Sequence, residues 1–187
     1  TVAGAPADGY TLLVYSGIVW LMPFLQRVTF DPVRDFAPVS LTNRAPNVLV
    51  VHPALPVKTV RDLIALAKAR PGALNYSSGG VATASDMGTQ LFMYMTGTQM
   101  VHVSYRGETL VLQDMLGGHV DLFFGNVSAA LALWRDGKVK VLAVLDKTRT
   151  ANMPNVPTTA EAGFPDITID GLVGIFGPRE LAASARE

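Results

Sequence analysis

Asn75-Tyr76-Ser77-Ser78-Gly79-Gly80-Val81-Ala82-Thr83-Ala84-Ser85 is the stretch from which the rest of the chain can be read. Asn75-Tyr76 is β-like, a run of mostly small residues follows, and Met87, Leu91, Phe92 and Met95 then fall at helical spacing. The pattern predicts a strand, a loop and a helix N-terminus. Small residues let backbone N–H groups approach a ligand, and the first turn of a helix carries a partial positive charge, so an anion suits this position. A plain small-residue connection between strand and helix explains the stretch equally well when it is taken alone. Neither the Gly-Lys-Ser/Thr ending of a phosphate loop nor a G-x-G-x-x-G fingerprint is present, so nucleotide binding is not supported.

The same alternation extends in both directions. Upstream, Tyr10 to Tyr15 reads as a strand ending at Ser16-Gly17, and Pro46 to Val51 as a buried strand closed by His52-Pro53. Val60, Leu63, Ile64 and Ala67 share one face of a helix, with Thr59 as its N-cap and Pro71-Gly72 beyond its end. Downstream come a strand at Val101-His102-Val103, a helix from Thr109 to Leu116 closed by Gly117-Gly118, and a strand from Val120 to Phe124. A helix from about Ser128 to Asp136 and a strand from Lys140 to Leu145 complete the series, and the remainder is rich in turn residues. Alternation of this kind predicts an α/β fold with a mostly parallel sheet. In such sheets ligands sit beyond the carboxyl ends of strands, which marks Ser16, Gly17 and Asn126 beside the Ser77–Ser85 loop. A tight turn at Ser16-Gly17 and a helix cap at Asn126 are the bland alternatives.

Composition narrows the function. Fifteen Lys and Arg balance fifteen Asp and Glu, so no net field draws the chain to nucleic acid or an anionic membrane. Residues in the hydrophobic class make up 49% of the chain, which excludes disorder and leaves a small, specific ligand as the expected partner. There is no cysteine, hence no disulfide, thiolate metal site or cysteine nucleophile. His52, His102 and His119 stand in no metal-ligand spacing and are read as structural. No serine lies in a G-x-S-x-G elbow, so no catalytic residue, metal or cofactor is assigned. Arg106 reads as solvated, or as paired with Glu108 or Asp114.

Several ordered landmarks carry a resemblance. They are Pro6-Ala7-Asp8-Gly9-Tyr10-Thr11-Leu12-Leu13, Phe30-Asp31-Pro32-Val33-Arg34-Asp35-Phe36-Ala37-Pro38-Val39-Ser40 and Pro46-Asn47-Val48-Leu49-Val50-Val51. Leu74 to Gly80, Val103-Ser104-Tyr105-Arg106-Gly107, Asp114 to Leu122 and Val156 to Gly163 continue them. Together they resemble the solute receptors of tripartite tricarboxylate transporters, the Bug family. The resemblance implies a type II periplasmic-binding-protein fold with two α/β lobes joined by crossing strands, closing by a hinge motion on a small carboxylate. It implies membrane subunits of a transporter as partners and a periplasmic location. Carried over residue by residue, Ser78, Gly79, Gly80 and Thr83 match the ligand loop of the second lobe. Ser16-Gly17 matches a ligand-facing loop of the first lobe, and Asn126 a pocket position. Gly125 stands where many members have Asp, and Asp86 where many have His; the missing Asp at 125 weakens an amino-acid reading.

The expected organisation is a first lobe over 1–44, lacking its first strand, a second lobe over 45–145, and a return to the first over 146–187. Both ends are expected to be truncated, with a signal peptide upstream of Thr1. Two other readings remain: a receptor that reports to a signalling partner, and an α/β enzyme acting on a small acid through Ser16 or Ser78. The enzyme reading requires a serine and a histidine within hydrogen-bond reach.

Overall fold

The computed structural model describes residues 2–185. In chain order the elements are β1 (Leu13–Ser16), α1 (Met22–Leu25), β2 (Phe36–Val51), α2 (Val60–Ala69), β3 (Asn75–Ser78), α3 (Ala84–Thr96) and β4 (Val101–Ser104). They continue with α4 (Glu108–Leu116), β5 (Leu122–Asn126), α5 (Val127–Arg135), β6 (Lys140–Val144) and β7 (Asp170–Pro178). The chain forms two units, one of Thr1–Arg44 with Gly171–Glu187, the other of Ala45–Asp170.

In the larger unit the strand order is β6–β2–β5–β3–β4. β3 is parallel to β4 and to β5, while β2 runs antiparallel to both β5 and β6, so β2 alone is reversed. It differs because it arrives from the other unit and not by way of a crossover helix on this sheet. Val48, Leu49, Val50 and Val51 are all fully buried, which follows from a sheet covered on both faces. Because side chains alternate along a strand, Leu49 and Val51 enter one core with Val60, Leu63 and Ala67 of α2 and Phe92 of α3. Val48 and Val50 enter the opposite core with Val111 and Met115 of α4 and Val127 and Ala130 of α5. β5 divides in the same way, Leu122 and Phe124 to the first core and Phe123 to the second.

The helices begin and end where their residues dictate. Thr59 and Asp62 form a reciprocal capping box on α2, Asp62 N–H donating to Thr59 Oγ1 at 3.1 Å and Thr59 N–H to Asp62 Oδ2 at 2.9 Å. α3 stops at Gly97, whose φ of +64° is the left-handed conformation that a helix C-cap uses.

Residues 146–170, expected from sequence to return to the first lobe, are held in the larger unit. Thr159 N–H donates to the Val144 carbonyl at 2.9 Å and Ile169 N–H to that of Leu145 at 2.9 Å, and Met153, Val156, Ile167 and Ile169 are buried. Apolar side chains with places in both cores override the turn-rich appearance of the segment.

The smaller unit has the strand order β1–β7–β2, with β1 antiparallel to β7 and Ser16 opposite Val173. Its buried cluster is small: Val19, Phe36 and Phe176. Trp20 meets Phe176 edge to face at 5.5 Å, and Phe30 meets Phe36 at 5.6 Å.

Within the larger unit, Gly88 of α3 packs against Ile169, near the end of that unit. A Cβ there would overlap Ile169 Cδ1 and lie 2.9 Å from Ile169 Cγ1, beside a side chain that is itself buried. Gly88→Ala is therefore expected to lower the unfolding free energy by about 1–3 kcal/mol despite its better helix propensity. Urea denaturation measures this, and an unchanged or raised midpoint would refute the packing account.

Candidate functional site

Three parallel strands, β4, β3 and β5, end on the same side of the larger unit's sheet, and each is followed there by a helix. The β4–β3 ladder continues past the strands: Tyr105 N–H donates to the Ser78 carbonyl and Gly107 N–H to that of Gly79, both at 3.0 Å. Ser78, Gly79 and Gly80 are thereby held against Tyr105 to Glu108. A Cβ on Gly79 would lie 3.4 Å from Glu108 N and 3.4 Å from Glu108 Cγ, and Gly80 has a φ of +148° that favours glycine. Asn126 at the end of β5 donates from Nδ2 to Glu108 Oε1 at 2.8 Å, so it is joined to the same cluster and does not cap α5 with its side chain.

The loop is closed by its own polar groups. Thr83 caps α3, its Oγ1 accepting from Asp86 N–H at 3.4 Å and donating to the Gly80 carbonyl at 2.8 Å. Gly79 N–H donates to Ser85 Oγ at 3.3 Å. Ala82 takes the left-handed conformation with a φ of +62°, which a non-glycine residue adopts only under constraint. That constraint is Asp86, whose Oδ2 accepts from Ala82 N–H at 2.8 Å. The first N–H groups of α3, at Ala84 and Ser85, have no partner within the helix and remain as donors at its positive end.

Ser78 lies beneath this surface. Its side chain is fully buried, donates to the Gly80 carbonyl at 2.9 Å, accepts from Gly80 N–H at 3.3 Å, and meets His102 Nε2 at 2.7 Å. His102 stacks on Tyr76 at 4.7 Å, and its Nδ1 lies 3.7 Å from Asp86 Oδ1. Asp86, also buried, accepts from the Tyr76 hydroxyl at 3.1 Å and from Gln90 at 3.3 Å. Burial first, and then the charge of Asp86, pushes the Tyr76 phenol upward, so Tyr76 stays a neutral donor. Tyr105 is likewise pushed up, to about 12, by burial and then by its 2.6 Å bond to Asp114. With Asp114 bonded to Tyr105 and Glu108 to Asn126, both carboxylates proposed from sequence as partners for the exposed Arg106 already have donors.

Of the sequence-derived positions, Ser78, Gly79, Gly80, Thr83 and Asn126 come together at this end of the larger unit. Ser16 and Gly17 belong to the smaller unit, where Ser16 is exposed at the end of β1 and makes no cap bond to the short turn of helix that starts at Gly17. Asp86, His102, Glu108 and Ser85 join the same hydrogen-bonded cluster, and sequence reasoning did not assign them to it. The one signal for His102 is its strand position in the neighbour of β3, and pairing with Tyr76 depends on a register that sequence does not reveal. Among the described residues no cluster of three or more His, Asp or Glu side chains is arranged to hold a metal ion.

Gly125 has a structural cause. A Cβ there would overlap the ring of Phe123, two residues away on the same face, with Phe123 Cδ1 at 2.6 Å. The buried Phe123 ring occupies the space that a side chain at 125 would need.

A family model described as the tripartite tricarboxylate transporter family receptor matches residues 1–184. Protein BugT of Bordetella pertussis is 32% identical over 180 residues, which are 95% of this chain and 55% of BugT. A protein in the tcbD-tcbE intergenic region of Pseudomonas sp. (strain P51) is 33% identical over 188 residues, 100% of this chain and 56% of that protein. The chain thus spans about half the length of the curated relatives it matches. Among solved structures, R. palustris Rpa4515 with adipate has a TM-score of 0.89 at 34% identity, covering 99% of this chain and 62% of that one. MatC (Rpa3494) from Rhodopseudomonas palustris with bound malate has a TM-score of 0.86 at 26% identity, covering 99% and 64%.

Gly125→Asp is expected to destabilise the protein by about 1–3 kcal/mol or more through this overlap. Thermal melting with a urea titration checks it, and a stable variant would show that Phe123 can move aside.

Proposed function

The chain belongs to the tripartite tricarboxylate transporter receptor family, and we propose that it is a periplasmic receptor that captures a small organic carboxylate for the membrane subunits of such a transporter. Its fold is the mixed α/β fold of the periplasmic binding proteins of this family. Receptors of the family are solute-binding proteins, and we assign this chain no catalytic residue. No helix among the described residues is long and apolar enough to cross a membrane.

The observation that carries the proposal is the Ser78–Thr83 loop at the positive end of α3. Gly79 and Gly80 permit close backbone approach, the Ala84 and Ser85 amides supply donors, and Thr83 Oγ1 holds the loop around them through its bonds to the Gly80 carbonyl and Asp86 N–H. Adipate with Rpa4515 and malate bound to MatC, both dicarboxylates, support a small organic carboxylate, a di- or tricarboxylate, as the ligand class. Asn126 is assigned to the same ligand-facing end, and Ser16 and Gly17 are assigned as ligand-facing positions of the smaller unit. Ser78 serves from below through its hydrogen bonds.

One observation favours a second reading, an acyl-transfer enzyme: Ser78 and His102 are within hydrogen-bond reach, with Asp86 behind the ring. The receptor reading is better supported, because the Ser78 hydroxyl has no exposed surface and already bonds within its own loop. A nucleophile needs access to the carbonyl it attacks.

Calorimetric titration of the protein with adipate, malate and citrate is expected to give saturable binding with at least one of them. Thr83→Val is expected to weaken that binding by about 1 kcal/mol, roughly fivefold. Absence of heat and of any melting shift with all three acids would sink the carboxylate assignment, and an unchanged dissociation constant in the variant would remove Thr83 from the site.

A further inference from the structure

One buried polar atom of the larger unit receives no hydrogen from the protein. Asn47 opens the buried half of β2, and its backbone is fully used: its N–H donates to the Ile169 carbonyl at 3.2 Å, and its carbonyl accepts from Leu145 N–H at 2.8 Å. Its side chain is not. Asn47 is 2% exposed, and among the described residues nothing donates to its Oδ1. The next four residues, Val48 to Val51, are apolar and wholly buried. An apolar side chain at 47 would therefore suit the fold better than an amide whose acceptor is left over.

Strand geometry says where this amide points. Leu49 and Val51 enter the core beneath α2 and α3, and side chains two residues apart share a face, so Asn47 is directed to that same face. It stands opposite Asn126 at the carboxyl end of β5, on the edge where β3 also ends and α3 begins. Ile169, which takes the Asn47 N–H, packs its own side chain against Gly88 in the second turn of α3. The Asn47 amide is thus directed toward the start of α3, where the Ala84 and Ser85 amides also have no partner within the helix. The Asn126 amide nitrogen, across the strand pair, is turned to Glu108 Oε1 at 2.8 Å.

Resting on the receptor reading, we propose that Asn47 Oδ1 takes a hydroxyl hydrogen from the ligand, which makes Asn47 a specificity-determining residue and the ligand a hydroxylated dicarboxylate. At neutral pH a carboxylate has acceptors only, so a plain dicarboxylate leaves Asn47 buried and without a donor. A hydroxyl has one hydrogen for Asn47 and lone pairs that accept from a backbone amide at the same place. An ammonium also donates, but its charge must leave water and needs a counter-charge. Asn47 and Asn126 are neutral, residue 125 is glycine, and the carboxylates of Asp86 and Glu108 already have donors. A site with an acceptor built for a hydroxyl turns away the analogue that lacks one, because the acceptor then stays unpaired.

Malate, succinate and aspartate share one four-carbon dicarboxylate skeleton and differ at a single substituent: hydroxyl, hydrogen or ammonium. Calorimetric titration of the wild-type protein is expected to give malate at least about tenfold tighter than succinate, and tighter than aspartate. Asn47→Leu removes the acceptor at similar volume and is expected to bring the malate-to-succinate ratio to within about twofold. Its unliganded melting temperature is expected to equal or exceed that of wild type, since no orphaned acceptor remains. A variant that melts clearly below wild type would show that the amide serves the fold and would overturn the account, as would an unchanged ratio. Equal binding of malate and succinate by wild type, the result expected if water satisfies Oδ1, sinks the hydroxyl assignment and leaves the receptor reading standing. Binding of adipate without malate does the same. Aspartate tighter than malate replaces the hydroxyl by an ammonium, and no binding of any of the four acids removes both readings.

Discussion

Two-sided burial of β2 is the constraint on which the larger unit depends. Val48 to Val51 expose no surface, and burying each of these side chains contributes about 1.5–3 kcal/mol. Four consecutive apolar residues cannot all face one core, because a strand sends alternate side chains to opposite sides. Helices must therefore cover both faces, α2 and α3 on one and α4 and α5 on the other. Once that sandwich forms, β3, β4 and β5 must end together, and their loops are carried to a common edge without any ligand to organise them.

The loop at that edge is built more from internal bonds than its small residues suggest. Ser78, Ser85, Asp86 and Thr83 each have side-chain bonds to the loop backbone, and Ala82 is kept in an uncommon conformation by one of them. Ordering a loop before its ligand arrives lowers the entropic cost of binding. The same economy explains why a buried carboxylate is kept in the loop: Asp86 Oδ2 is the acceptor that holds Ala82 N–H at 2.8 Å.

Legibility from sequence followed the physics of each element. α2 was readable to within a residue or two because an apolar stripe and a Thr-x-x-Asp cap coincide at Thr59 to Ala67. β4 and β5 were readable because apolar or β-branched residues lie near glycine-containing turns, whereas β3, Asn75-Tyr76-Ser77-Ser78, was legible only at Asn75-Tyr76 and through the helix that follows. The first half of β2 was not, since Ser40, Thr42, Asn43 and Arg44 show no apolar alternation when that part of the strand is largely exposed. β7 was not, because Gly171, Gly174 and Gly177 resemble a loop; a Cβ at Gly174 would meet the Phe176 ring at 2.9 Å, so that glycine serves packing within the strand.

By itself the sequence determined the alternation of strands and helices, the cap at Thr59, the small-residue loop and membership of a receptor family. These are local or cumulative properties, carried by neighbours in the chain or by many landmarks in order. Only the tertiary structure decided that Ser78 turns inward to His102, that Asp86 lies behind that ring, that Asn126 bonds Glu108 and that the segment 146–170 packs with the larger unit. Each of these joins residues whose distance depends on strand register and helix packing. A shift of one residue between β3 and β4 would turn His102 to the other face of the sheet, and no local pattern in the sequence records which register is taken.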